Sequence, residues 1–298
     1  MMIETKKLVK TFDGFKALNE LDINVPKGSV YGLVGPNGAG KSTVIRHLAG
    51  IYRQDSGEVL IDGQPVYENN AVKSRIAYIP DEIFYYPQAG IEDMMRFYKS
   101  IYPKFSAERF EKLRGSFDLD SRRPMRKLSK GMQKQAAFWL ALSLCPEIVI
   151  LDEPVDGLDP VMRRQVWSLL MADVAENGTT VLVSSHNLRE LEDVCDHVGI
   201  LNHGRMLTER SLSELQDNIV KIQLALADGG ELPSDLNILH ESRTGRVRQL
   251  ILRGTAEELT NRISAVSPLF MDVVPLTLEE IFIYELGGVD SEVKDSVL

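Results

Sequence analysis

The sequence predicts an α/β fold built on a parallel sheet, and three stretches predict it: "VYGLV", "IVIL" and "TVLV" are short, continuous apolar runs. Strands covered by helices on both faces need such runs. Each also leads straight into polar residues suited to binding phosphate or metal.

The first run, in "GSVYGLVGPNGAGKSTVIRHLAG", opens into Gly35, Pro36, Asn37, Gly38, Ala39 and Gly40, followed by Lys41, Ser42, Thr43 and a helical pattern from Lys41. This fits G-x-x-x-x-G-K-[ST] between a strand and a helix. The glycines let backbone N–H groups close around phosphates, Lys41 reaches the outer ones, and the Ser42 hydroxyl suits Mg²⁺. The second run, in "PEIVILDEP", ends at Asp152, placed to hold that metal. Glu153 follows, a carboxylate able to polarise an attacking water at the γ-phosphate. The third, in "TTVLVSSHNLREL", ends in Ser184, Ser185 and His186, with a helix expected after it. His186 is positioned to hydrogen-bond the γ-phosphate and the water.

A second, weaker anion site is written in "LSKGMQKQ", where Ser129 and Gly131 precede a helical run. Unpaired N–H groups and the dipole favour negative charge at such a helix start. Lys130 there opposes the dipole slightly, yet a cation helps to meet an anion.

Composition bounds the rest. The 298 residues are 44% hydrophobic and 26% charged, and the formal charge of −9 disfavours nucleic acid as partner. Cys145 and Cys195 form neither a metal pattern nor a disulfide framework, so a reducing cytosol fits. "MMIETKKLVKTF" lacks the apolar block of a signal peptide, and no stretch approaches the roughly 18 to 20 apolar residues of a membrane span. A membrane role must be borrowed from a partner.

The ordered motifs "GPNGAGKST", "LSKGMQ", "VILDEP", "GLDP" and "SSH" resemble the ATP-binding subunit of ABC transporters over roughly residues 1–215. The resemblance implies a P-loop core of the ABC ATPase type with an antiparallel β patch and a helical subdomain at about 91–143. It implies ATP and Mg²⁺ as ligands. It also implies head-to-tail pairing with a second such subunit, as a homodimer or a heterodimer. "LSKGMQ" is similar to the family's signature, so Ser129, Lys130, Gly131, Met132 and Gln133 would meet the γ-phosphate of the partner's ATP. Asp159 in "DGLDP" looks like the loop linking the two sites, with Pro160 at a helix start. Phe12 lies 23 residues before Gly35, where the family places an aromatic against adenine. Stacking reads any base, but the N-K-x-D signature of GTPases is absent, which favours ATP.

Some positions depart from the family. Asp81, in "RIAYIPDEIFYYP", stands where a glutamine usually touches metal and water. It is expected near the metal with Ser42 and Asp152, as a hard oxygen ligand unable to donate a hydrogen bond. Lys130 replaces the signature's first glycine, Met132 its glutamine, and Val155 and Asp156 stand for Thr and Ser. These changes look like subunits serving ABC-2 type permeases.

The implied function is an ATP-hydrolysing motor that drives transport, leaning toward export, through a separate integral membrane permease. Its place would be cytoplasmic, peripheral on the inner face of the membrane. A soluble ABC ATPase acting on the ribosome or DNA is the rival class. A single nucleotide loop, net acidity and the absence of a coiled-coil insertion, since Ser129 follows Ser42 by only 87 positions, disfavour it. A P-loop kinase or GTPase leaves the signature and "SSH" without a role.

Nine of the 21 aromatics fall between Phe84 and Phe117. Tyr85 and Tyr86 are candidates to line a groove for the permease's cytoplasmic helix, while Met94, Tyr98 and Ile101 follow helical spacing and read as core. "LDINV" alternates as a strand and "GEVLIDGQPV" reads as a hairpin at Asp62 and Gly63. The nucleotide-binding domain is thus expected over 1–217. Residues 218–298 are expected to form a small α+β domain: strands in "IVKIQLAL", "LNILH" and "VRQLIL", helices after the capping boxes Thr255/Glu258 and Thr277/Glu280, a Gly stop, and a loose polar tail.

Overall fold

The computed structural model describes residues 1–212, 214, 219–227, 232, 233 and 235–285. The expected Gly stop and polar tail lie outside them. The chain divides into two compact units, one of Met1–His186 with Val194–Glu209 and the other of Asn187–Asp193 with Arg210–Leu298. The unit boundary therefore falls at 209/210, ahead of the expected 217, and a short segment after His186 groups with the second unit.

Within the first unit, β1 (Ile3–Phe12), β2 (Phe15–Val25), β4 (Ser56–Ile61) and β5 (Gln64–Pro65) form an antiparallel sheet ordered β2-β1-β4-β5. Its hairpin turns are Asp13-Gly14 and Asp62-Gly63, all four residues with positive φ. That is the turn geometry whose twist matches paired strands. The main sheet is ordered β10-β9-β3-β8-β7-β6, from β3 (Val30–Val34), β6 (Ile76–Ile79), β7 (Ile148–Asp152), β8 (Thr180–Ser185), β9 (His197–Asn202) and β10 (Arg205–Ser211). β3, β7 and β8 are the three apolar runs, and all their residues are buried. Parallel register sets Asp152 opposite Ser184 and Ser184 opposite Leu33. The loop after β3, the Asp152–Glu153 step and His186 thus leave the same edge of the sheet. Ligands bind at such carboxyl edges.

The helical part comprises α3 (Ile91–Ile101), α4 (Ala107–Phe117) and α5 (Lys130–Leu142). Trp139 anchors it: fully buried, it stacks on Phe110 (4.6 Å between centroids) and Phe117 (6.3 Å), and its indole N–H donates to the Phe110 carbonyl at 2.7 Å. Ile101, read as core, is 53% exposed, while Met94 on the same helix is buried. The remaining helices of this unit are α1 (Lys41–Leu48), the short α2 (Asn70–Lys73) and α6 (Pro160–Asn177).

The second unit holds the antiparallel sheet β12-β13-β11-β14, from β11 (Ile219–Ala225), β12 (Ile238–Thr244), β13 (Val247–Arg253) and β14 (Phe270–Val274). Ile222, Leu224, Leu250 and Leu252 pack with Leu259 and Ile263 of α7 (Ala256–Ser264). β14 escaped the sequence reading. The Thr277/Glu280 box before α8 (Leu278–Glu285) is reciprocal, with Thr277 N–H donating to the Glu280 carboxylate (2.9 Å) and Glu280 N–H to Thr277 Oγ1 (3.2 Å). At Thr255 the hydroxyl accepts from Glu258 N–H, while the Glu258 carboxylate turns to Arg262. The helix expected after "SSH" is a 3₁₀ turn, Leu188–Glu190. Leu188 and Leu191 are both buried, and a three-residue turn stacks that spacing on one side.

Candidate functional site

The loop after β3 is shaped by close approach. At Gly40 (φ +111°) a Cβ would fall 3.0 Å from both the Ala17 carbonyl oxygen and Leu18 Cδ2. Gly38 also has positive φ, and the Ala39 carbonyl accepts from Gly204 N–H at 2.9 Å. Helix α1 begins without a side-chain cap or an acidic residue in its first turn. Its first N–H groups therefore suit a phosphate. Lys41, only 6% exposed, turns its ammonium onto the carbonyls of Gly35 (2.6 Å) and Pro36 (3.3 Å) and lies 3.4 Å from Glu153 Oε1.

The metal-type donors converge beside it. Ser42 Oγ lies 3.2 Å from Asp152 Oδ1, and the buried Ser184 hydroxyl donates to the same oxygen at 2.7 Å. A hydroxyl and a carboxylate fit Mg²⁺, a hard cation that takes oxygen ligands and keeps several waters. The Tyr78 phenol is pushed up to about 12, first by burial and then by the field of Asp152, with Asp81 adding to it. Asp81 itself is exposed, its carboxylate 3.6 Å from the Lys134 ammonium.

Glu153 has φ +48°, a left-handed conformation that costs a non-glycine residue about 1–3 kcal/mol. Its carboxylate sits between Lys41 and His186, whose Nδ1 lies 2.9 Å from Oε2. Asp156, read from sequence only as a departure, brings its carboxylate into the same group: ligand atoms of Glu153, Asp156 and His186 lie within 4.8 Å of one another.

The signature residues start α5. Ser129 is its N-cap, accepting from Met132 N–H at 3.3 Å. Ser129 and Lys130 are exposed, Met132 is half-buried, and Gln133 donates to the carbonyls of Met125 and Leu128. Gly131 is constrained, since a Cβ would fall 2.6 Å from the Gly157 carbonyl oxygen. Asp159 caps α6 by accepting from Val161 and Met162 N–H, both at 3.0 Å, with Pro160 as the first helical residue.

Phe12 ends β1 with 39% of its surface exposed, edge-on to Tyr52 (5.6 Å) and with the Lys10 ammonium 5.5 Å from its ring centre. The aromatic cluster divides: Phe110 and Phe117 are core, whereas Tyr85, Tyr98 and Tyr102 line a cavity of about 70 Å³ with Tyr78, Pro80 and Leu144. Phe84, also on its lining, and the neighbouring Tyr86 are exposed, and Tyr86 meets Phe97 edge-on at 5.8 Å. No helix among the described residues is long and apolar enough to cross a membrane.

Two residues that the sequence reading did not assign hold this site together. Ser184 binds Asp152 and also accepts from Glu153 N–H at 3.1 Å. Lys134, buried on α5, donates to the Glu153 carbonyl at 2.7 Å. A serine at a strand end and a lysine within a helix carry no signal of such roles in sequence.

Residues 18–156 match the ABC transporter family. The chain is 32% identical to the ABC transporter ATP-binding protein YtrB of Bacillus subtilis, covering 96% of this chain and 99% of that one. It is 36% identical to the daunorubicin/doxorubicin resistance ATP-binding protein DrrA of Streptomyces peucetius, over 74% of this chain and 70% of DrrA. Its fold is similar to the solved ATP-binding subunit of an ABC transporter (TM-score 0.68, 28% identity, 72% of this chain and 92% of that one). It also shares its fold with the dimeric, ADP- and phosphate-bound cassette MJ0796 (TM-score 0.64, 22% identity, 71% of this chain and 99% of that one). A phosphate loop, an Asp–Glu step and a histidine at one sheet edge, with likeness to YtrB along nearly the whole chain, place this protein among the ATP-hydrolysing ATP-binding subunits of ABC transporters.

Proposed function

We propose that this subunit pairs head to tail with a second copy or a homologue around two ATP–Mg²⁺. In this reading, hydrolysis drives export through a separate membrane permease of the ABC-2 type, with the subunit held at the cytoplasmic face. The observation that carries the proposal is the contact series Lys41–Glu153–His186 beside the Ser42–Asp152 pair. Ser42 and Asp152 would hold Mg²⁺, with Asp81 contributing from nearby; the ion supplies charge neutralisation at the phosphates. Lys41 turns from Glu153 to the outer phosphates, which leaves the Glu153 carboxylate to take a proton from the attacking water. His186 orients that carboxylate and the γ-phosphate. Phe12 offers its exposed face to adenine. Ser129, Lys130 and Gly131, with Met132 and Gln133 behind them, would meet the γ-phosphate held by the other copy, and Asp159 would link the two sites. Tyr85 and Tyr86, at the aromatic cavity and its rim, would receive a helix of the permease. The resistance role in the name of DrrA supports export, and the transporter role in that of YtrB supports a permease partner over a ribosome or DNA.

The test is the solution mass of Glu153→Gln protein by light scattering with and without ATP, since blocked hydrolysis should trap the closed pair. A shift from monomer to dimer on adding ATP supports the reading. A monomer that binds ATP yet never associates would remove the homodimer and require a heteromeric or permease-dependent clamp.

A further inference from the structure

We infer that Lys134 is a positioning residue for hydrolysis: its ammonium holds the backbone carbonyl of Glu153 and so fixes where the Glu153 carboxylate points. This rests on the reading of Glu153 as the base.

Lys134 lies in α5 among buried Ala136, Ala137 and Phe138, and is itself 6% exposed. A lysine is almost never buried unless paired, because desolvating the ammonium is costly. Packing alone would be served by Leu or Met. Its ammonium makes two contacts, at 2.7 Å to the Glu153 carbonyl and at 3.6 Å to Asp81. Asp81 is exposed and solvated, so neutralising it requires no buried partner. The shorter bond goes to a residue whose backbone is left-handed without being glycine.

That residue is tied on both sides. Its N–H donates to Ser184 Oγ at 3.1 Å, which anchors it to β8. Its carbonyl is held by Lys134, which anchors it to α5. With both flanking peptide groups fixed, φ and ψ are fixed, and the side chain leaves Cα toward Lys41 and His186. Without Lys134 the carbonyl loses its partner, the strained backbone relaxes and the carboxylate moves. A misplacement of about 1 Å can cost on the order of 100-fold in rate. Nucleotide binding stands apart from this, because Lys41 keeps its loop acceptors and the first turn of α1 is untouched.

The experiment uses the full chain and compares single-turnover ATP hydrolysis and affinity for a fluorescent ATP analogue in wild type, Lys134→Met, Lys134→Arg, Glu153→Gln and the Lys134→Met/Glu153→Gln double variant. Lys134→Met should lower the rate by about 10- to 100-fold, within the contribution of a positioned general base, with affinity changed less than about twofold. Lys134→Arg should recover part of the rate, and in the Glu153→Gln background Lys134→Met should cost nothing more, since residues acting as a unit are non-additive. An unchanged rate in Lys134→Met, a parallel fall of rate and affinity, or an undiminished loss in the Glu153→Gln background would overturn the inference. Wild-type hydrolysis by Glu153→Gln would instead overturn the reading of Glu153. If Lys134→Met does not fold, Lys134→Gln takes its place in the cycle with the same expected outcomes.

Discussion

Ser184 is the residue whose loss should be felt most widely for the fewest atoms removed. Its hydroxyl is fully buried, donates to Asp152 at 2.7 Å and accepts from Glu153 N–H at 3.1 Å. Ser184→Ala deletes one oxygen and leaves a carboxylate oxygen short of a donor and a backbone N–H without an acceptor. A hydrogen bond to a charged group is worth about 1.5–3 kcal/mol, and an unsatisfied buried group costs about 1–3 kcal/mol. Ser42 still donates to Asp152, which places the sum nearer the lower end, at roughly 3 kcal/mol. Both tryptophans, Trp139 and Trp167, belong to the first unit, so indole fluorescence in urea follows that unit by itself. With a slope of about 3 kcal/mol per molar urea, the midpoint should fall by roughly 1 M. ATPase turnover should fall as well, because the same oxygen steadies Asp152 and Glu153. A midpoint within about 0.1 M of wild type would refute this, since about 0.3 kcal/mol is less than the weakest net hydrogen bond.

Two further perturbations test the surroundings of the site. Burial lowers the pKa of His47, with Lys10 acting in the same direction and the carbonyls of Thr43 and Arg53 and the Asp55 carboxylate opposing it. The unfolded chain therefore takes up this proton more readily, so the stability His47 contributes is complete above the unfolded value of about 6.5 and is lost as the pH falls below it. The urea midpoint of wild type should drop more between pH 7.5 and 5 than that of His47→Gln; equal drops would show that His47 is not the group responsible. Gly131→Ala drives a Cβ to 2.6 Å from the Gly157 carbonyl oxygen within one chain. It should destabilise the isolated subunit by about 1–3 kcal/mol, as overpacking does, with no second copy needed, and a wild-type midpoint in the same fluorescence assay would contradict that.

Much of the site was legible because its chemistry is local. The phosphate loop, Asp152, Glu153 and His186 each sit at the end of a continuous apolar run, and strands buried on both faces must look that way. Parallel register then gathers those ends without further information. Lys134 was illegible for the opposite reason: a lysine in "MQKQ" reads as a solvated helical residue, and only segments 53 residues before it and 19 after it, bearing Asp81 and Glu153, show what it meets. Asp156 was visible as an oddity but not as a neighbour of His186. The 3₁₀ turn at Leu188–Glu190 was not legible because "NLRELED" has helical composition, and the burial of Leu188 and Leu191 three apart suits either helical form.

The route of the backbone between the units bears on how this protein can be taken apart. The chain leaves the first unit at His186, returns at Val194 and leaves again after Glu209. Within the second unit, Leu278 N–H donates to Glu192 at 2.9 Å, and the turn at Leu188–Glu190 contacts α8. A single cut at 209/210 is therefore not a clean excision. It would strip the stretch from Asn187 to Asp193 of its companions, and that stretch begins one peptide bond beyond His186. Swapping C-terminal units between relatives would need three seams, the first of them adjoining His186, whose imidazole meets the Glu153 carboxylate.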